Sequence, residues 1–308
     1  MFRVRQQVGC TDELVASCNC RNSEDNIRVA VLDTGIGNHP DFEGRVDAFY
    51  DFLHGGRNAY DDSGHGTHVI GCIGGSGKAS GGMYKGIAPH CRLVVGKVLD
   101  ENGDGNIDHM KQGIEWVLDI KDRYKIRVLN ISIGIGYIDN KNRMEELVRA
   151  VDEAWDSGIV VVCAAGNMGP KPMTISPLGA SKKVITVGCH EGGYFGKRSS
   201  LCEEYSGRGP SPYAVKKPDV VAPGTDIISC NVACRQSFRG YRNAYTKKSG
   251  TSMATPIVSG AVALLLQKYP YLTNEQVKRK LSYSATDLQE PWTKQGWGMI
   301  NVRRMLAP

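Results

Sequence analysis

Apolar residues fall along this chain in two rhythms. Residues 27–32, 93–99, 128–133, 159–165 and 184–187 are short runs, rich in Val and Ile and almost continuously apolar. Strands buried on both faces of a parallel sheet read this way. Between them the spacing lengthens. Over 107–124, Ile107, Met110, Ile114, Val117 and Leu118 recur along one helical face. Residues 142–156 open on an N-x-x-E capping signal, Asn142 and Glu145, and stop before Gly158. Residues 258–268 form an apolar helix, and Thr273 with Gln276 makes a capping box for another that runs to about Ala285. This alternation predicts one α/β domain over 26–308, with a mostly parallel central sheet and helices on both faces. Residues 1–25 are expected to form a polar, cysteine-bearing extension, either disordered or inhibitory.

Composition narrows the picture. The chain has 308 residues and a formal net charge of +6, with basic residues in scattered pairs such as Lys182-Lys183, Lys216-Lys217 and Lys247-Lys248. Scattered pairs predict a solvated surface, and no nucleic-acid partner is expected. No run approaches the roughly 18 apolar residues of a spanning helix, so no membrane partner is expected. The first residues lack the apolar core of a signal peptide, which gives a cytoplasmic expectation if Met1 is the natural start. On that expectation the ten cysteines are reduced, and Cys163 reads as a small buried hydrophobe.

Three stretches carry candidate chemistry. Val29-Ala30-Val31-Leu32-Asp33-Thr34-Gly35 is a predicted strand ending on a carboxylate, the place where open α/β sheets bind ligands. Asp61-Asp62-Ser63-Gly64-His65-Gly66-Thr67-His68 sets two histidines three apart beside two carboxylates. From that stretch alone, zinc ligand and general base both stay open. Ser249-Gly250-Thr251-Ser252-Met253-Ala254-Thr255-Pro256 places Ser252 at or near a helix start, where backbone N–H groups favour developing negative charge.

Taken together these stretches resemble the subtilisin-like serine proteases, closest in layout to the intracellular branch. Asp33 sits in a D-T-G, His65 in an H-G-T-H and Ser252 in a G-T-S-M-A-T-P, in the family's chain order, and Ala164-Ala165-Gly166-Asn167 matches its A-A-G-N. The likeness runs from about Ile27 to Leu306. It implies a serine endopeptidase acting through an acyl-enzyme on protein or peptide substrates, with no cofactor for the chemistry. Asp33, His65 and Ser252 would be the triad, Asn167 the side-chain oxyanion donor, and His68 structural. Ser132, Ile133 and Gly134 with Ala164, Ala165 and Gly166 would line the S1 site. The loop from Leu99 through Gly105 to Ile107 would face the neighbouring subsites. Met168, following Asn167, suggests apolar or aromatic P1 residues. A peptide-binding but idle relative and a metalloenzyme built on His65, His68 and an Asp are the competing readings.

The resemblance also sets expectations about calcium, oligomers and activation. Asp100-Glu101-Asn102-Gly103-Asp104-Gly105 imitates a calcium loop, but its twelfth position is Lys111 and an apolar strand precedes it. Many relatives hold structural calcium, and Asp41 matches one of their ligands. The loop at 74–82 offers neither Asn nor a carboxylate to complete such a site. Intracellular relatives are often dimeric, so a homo-oligomer is an open expectation. The same branch suggests that residues 1 to about 20 cover the active site until they are trimmed.

Overall fold

A computed structural model describes residues 1–18, 25–133, 141–196, 201–211 and 215–308. Seven strands make the central sheet: β1 (Arg28–Asp33), β2 (Val46–Asp51), β3 (Arg92–Lys97), β4 (Ile126–Ile131), β5 (Val160–Ala164), β6 (Ile185–Cys189) and β7 (Val220–Ala222). Their spatial order is β2-β3-β1-β4-β5-β6-β7, and every pairing is parallel. β1 therefore has β3 on one side and β4 on the other. The order reverses there, and a crevice opens beyond its carboxyl end. Asp33 is the last residue of β1, in register with Lys97 of β3. Beyond the sheet, β8 (Ile227–Cys230), β9 (Arg235–Ser237), β10 (Gly240–Arg242) and β11 (Tyr245–Lys248) form two small antiparallel pairs, β9 with β10 and β8 with β11.

The helices are α1 (Phe2–Gln7), α2 (Asp12–Ala16), α3 (His65–Gly74), α4 (Ile107–Tyr124), α5 (Lys141–Asp156), α6 (Cys202–Tyr205), α7 (Thr251–Lys268) and α8 (Asn274–Ser284), followed by two short turns near the end. Successive strand residues face opposite ways. Leu32 reaches Gly113 of α4, whereas Asn130, in register with Val31, accepts a hydrogen bond from Ser259 Oγ of α7 at 2.8 Å. The sheet is thus covered on both faces, as the patterning predicts. Met110, Ile114 and Val117 of α4 are buried, and Ile107 and Leu118 half-buried. The Thr273–Gln276 capping box is present on α8.

Three expectations change. The helix expected at 258–268 begins at Thr251, so Pro256 lies inside α7 and not in its first turn. Pro256 has no N–H to offer the Ser252 carbonyl one turn back, and the near-complete burial of 251–266 sustains the helix instead. The helix expected at 142 starts at Lys141.

Residues 1–18 are no disordered tail. Val4, Val8, Cys10, Val15 and Cys18 join the main core, and Val302 N–H donates to the Val8 carbonyl at 2.7 Å. Arg5 reaches the carbonyls of Cys10 and Gly86 and the Asp12 carboxylate. A sequence that is polar on average still buries one stripe of short helices.

The thiol expectation also changes. Cys189 and Cys202 are joined as a disulfide across 13 residues. Cys10, Cys18, Cys72, Cys91, Cys163, Cys230 and Cys234 are free. Cys163 is buried as expected, and burial pushes its thiol up to about 12.

Candidate active site

Asp33 leaves the sheet fully buried at the crevice. His65 Nδ1–H donates to Asp33 Oδ1 at 2.6 Å, and the Thr34 N–H donates to the same oxygen at 2.8 Å. Asp33 Oδ2 is buried with no hydrogen-bond partner. The carboxylate therefore keeps unspent acceptor capacity facing an imidazole that is a quarter exposed. Burial by itself would lower the His65 pKa. The charge and hydrogen bond of Asp33 outweigh it and carry the net shift upward, while Lys248 pulls the other way.

The glycines of D-T-G and H-G-T-H are what allow this approach. A Cβ on Gly66 would stand 2.2 Å from the Gly35 carbonyl, and one on Gly35 2.0 Å from the Tyr60 carbonyl. Only bare backbone lets α3 start this close to the end of β1.

Asp61 ties the turn. Its two oxygens accept from Thr34 Oγ1, from the N–H groups of Ser63, Gly64 and Thr67, and from Thr67 Oγ1. Thr34 Oγ1 in turn accepts from the Gly66 N–H at 2.9 Å. Lys97, fully buried, donates to the carbonyls of Thr34 and Leu99 and to Asp62 Oδ1 at 2.9, 2.8 and 2.6 Å. Sequence reasoning missed Lys97, although a lysine inside an apolar strand was itself a signal. Thr34 and Thr67 carried no signal beyond their motifs.

The zinc arrangement is not formed. His68 turns into the core, its Nε2–H donating to the Ile227 carbonyl at 2.9 Å, and burial drives its pKa down to about 3. Asp61 is spent on its donors. Among the described residues, the one group of three potential metal-binding side chains is His39, Asp41 and Cys230.

Ser252 is the second residue of α7, nearly buried, with an N–H that has no intrahelical partner. Asn167 Oδ1 accepts from the N–H and the hydroxyl of Thr251, both at 3.0 Å, which leaves the amide nitrogen as the donor beside Gly250. α3 and α7 pack together and hold the two halves side by side. Among the described residues no hydrogen bond joins the Ser252 hydroxyl to His65. Contacts of this kind tighten when substrate arrives.

The expected substrate segments are structured. Ser132 is buried under an Asn130 amide hydrogen bond, and Ile133 is nearly buried. Gly134 lies outside the described residues. Ala165 and Gly166 are held by Ser176 and Gly207 through backbone bonds, and the Ala164 carbonyl accepts from Ser176 Oγ. The loop after Leu99 closes on itself, with Asp100 Oδ1 accepting from the N–H groups of Asn102 and Asp104 at 2.9 Å. Gly105 abuts Leu99.

Asp41 is the second fully buried carboxylate near this crevice. It accepts from the N–H groups of Gly77 and Ala79, from the Tyr245 hydroxyl and from the Cys230 thiol. Arg45 donates to the Asp41 carbonyl. His39 is used at both ring nitrogens, by the Asp41 N–H and the Ala244 carbonyl. Donors surround this carboxylate where calcium needs oxygen acceptors, so the residues present do not fit the ion.

Comparison with known proteins decides the family. Residues 24–298 match the model of the subtilase family. The chain belongs to that family. This subtilase is 41% identical over 265 residues to serine protease AprX of Bacillus subtilis (strain 168), covering 83% of the chain and 60% of that relative. With subtilisin DY of Bacillus licheniformis it shares 35% over 280 residues, 90% of the chain and 89% of the relative. A cold adapted subtilisin-like serine proteinase has a related structure, with a TM-score of 0.69 and 30% identity over 92% of this chain and 89% of that one. No described helix of this subtilase is long and apolar enough to cross a membrane.

Proposed function

We propose that this subtilase is a serine endopeptidase working through an acyl-enzyme. The observation that carries the reading is the 2.6 Å bond from His65 to the buried Asp33 at the sheet's switch point. Serine is a weak nucleophile at neutral pH, so a base must take its proton as it attacks the scissile carbonyl. His65 Nε2 takes it and returns it to the leaving amine. Asp33 fixes the tautomer with the proton on Nδ1 and stabilises the cation without accepting that proton. The Ser252 N–H and the Asn167 amide meet the oxyanion. Water then releases the acyl group by the same route. Met168, 77% exposed beside Asn167, supports an apolar or aromatic P1 residue.

A fluorophosphonate probe tests the reading. It should label Ser252, and labelling should vanish in His65→Ala. Hydrolysis that persists in Ser252→Ala, or that stops with a chelator while no label is taken up, would overturn it.

The donor set around Asp41 supports a further reading, that this node is held by hydrogen bonds and without calcium.

A further inference from the structure

The chain next to His65 carries a feature the chemistry above does not use. Between β8 and α7 it rises as the β9–β10 hairpin and returns along β8 as β11. Residues 231–250 hold Arg235, Arg239, Arg242, Lys247 and Lys248, and no Asp or Glu. Those five cations equal all but one of the chain's six net positive charges. Arg235, Arg239, Arg242 and Lys247 are exposed, and Lys248 is half-buried. None of the five pairs with a carboxylate among the described residues. Several surface cations elsewhere do, among them Lys183 with Asp156 and Arg143 with Asp108. An unneutralised block of one sign is a field, and a field beside a cleft concentrates the opposite charge.

Position gives the field its use. At the foot of the hairpin, Val232 contacts Gly37 and Gly64, the residue before His65, closely enough that a Cβ on either would meet it at 2.8 Å. At its other end Lys248 stands four residues before Ser252, and its charge is felt at the His65 ring. Between the hairpin and residues 36–44 opens a cleft of about 670 Å³, lined by Ile36, Phe42, Gln236 and Tyr241. Glu43 on its rim is tied to Lys78, so it does not neutralise the hairpin. Val232 sets the hairpin against Gly37 and Gly64, beside β1 and α3, whereas residues 132–133 and 164–166 follow β4 and β5 further along the sheet. That placement assigns the hairpin to the side from which the leaving amine departs.

We propose that this hairpin selects substrates with Asp or Glu in the first few residues after the scissile bond. The proposal rests on the endopeptidase reading. Each exposed ion pair contributes little alone, so the effect belongs to the block as a whole. It acts chiefly on association and fades as salt screens it.

The test uses quenched peptides with one common unprimed half and Ala, Glu or Lys at the four positions after the bond. Wild type should cleave the Glu series with kcat/KM roughly tenfold above the Ala series at low ionic strength. The ratio should approach one at about 0.5 M salt. Arg235→Ser/Arg239→Ser/Arg242→Ser should lose most of that preference and cleave the Ala series at the wild-type rate, which also reports intact folding. Lys247→Ser should lose a smaller part of it. Equal kcat/KM for the Glu and Ala series in wild type, or an undiminished preference in the triple variant, would overturn the proposal. Failure to cleave any series would strike instead at the endopeptidase reading.

Discussion

Asp33 and Asp41 stand eight residues apart, and both are fully buried. Their surroundings differ in one physical respect. Asp41 has both oxygens met by neutral donors, two from backbone and two from side chains. Asp33 meets one N–H and one imidazole at a single oxygen and leaves the other unpartnered. A saturated carboxylate is a knot, since removing it strands several donors at once. An unsaturated one beside a titratable ring is a stored charge, which in the proposed function would stabilise a cation that appears only during reaction. Burial alone does not separate these two roles. The donor count does.

The sharpest way to break this contrast is to neutralise each carboxylate. Asp33→Asn should lower turnover by about 10⁴, the scale known for a triad that loses its carboxylate, with little loss of stability. Asp41→Asn should do the reverse, keeping turnover while destabilising the fold by about 1–3 kcal/mol in denaturant titrations. Comparable effects of the two changes on both readouts would dissolve the distinction.

Next in size is Asn167→Ala. A fall in kcat of about 10²–10³ with KM little changed is expected, a magnitude carried over from the matching donor of a subtilisin and not calculated for this chain. A rise in KM alone would make Asn167 a ground-state contact.

Chelation sharpens the Asp41 half of the comparison. A bound ion stabilises the fold, so its removal lowers the melting temperature. EDTA should shift the melting temperature of wild type no more than that of Asp41→Asn. A drop that calcium restores in wild type but that is absent in Asp41→Asn would reverse the reading of Asp41.

The smallest effect concerns Lys248. Its charge opposes protonation of His65, so Lys248→Gln should move the acid limb of the pH–rate profile to higher pH. An unchanged limb would place that lysine outside the field of the ring.

The contrast between the two aspartates could not be read from the chain. The D-T-G, H-G-T-H, G-T-S-M-A-T-P and A-A-G-N motifs marked Asp33, His65, Ser252 and Asn167 through their resemblance to a family's motifs in the same chain order. Gly35 and Gly66 within them proved to be positions of close backbone approach. The buried strands and the helix Ile107–Tyr124 were legible because burial on one or both faces imposes a period. What escaped has no period. Asp41 is saturated by groups from residues 77, 79, 230 and 245, brought together only by folding. Lys97 hides in an apolar run. The β9–β10 hairpin is two three-residue strands of mostly exposed residues, and the lysine pair that ends β11 beside it looked like ordinary surface until its neighbours were known. Residues 1–18 averaged polar, which concealed the stripe made by Val4, Val8 and Cys10. The Cys189–Cys202 bond, read from sequence as two free thiols, depends on β6 meeting α6.

The most direct measurement follows the imidazole itself. Proton NMR of the His65 Nδ1–H, titrated in a Ser252→Ala background, reports its pKa with and without Asp33. With Asp33 present, the ring should titrate above the ordinary histidine value of about 6.5. In Asp33→Asn, burial and the charge of Lys248 pull the ring down against the weaker pull of Asp61, and the titration should fall below that value. A His65 titration that does not move when Asp33 is neutralised would contradict the claim that this carboxylate holds its charge for the ring.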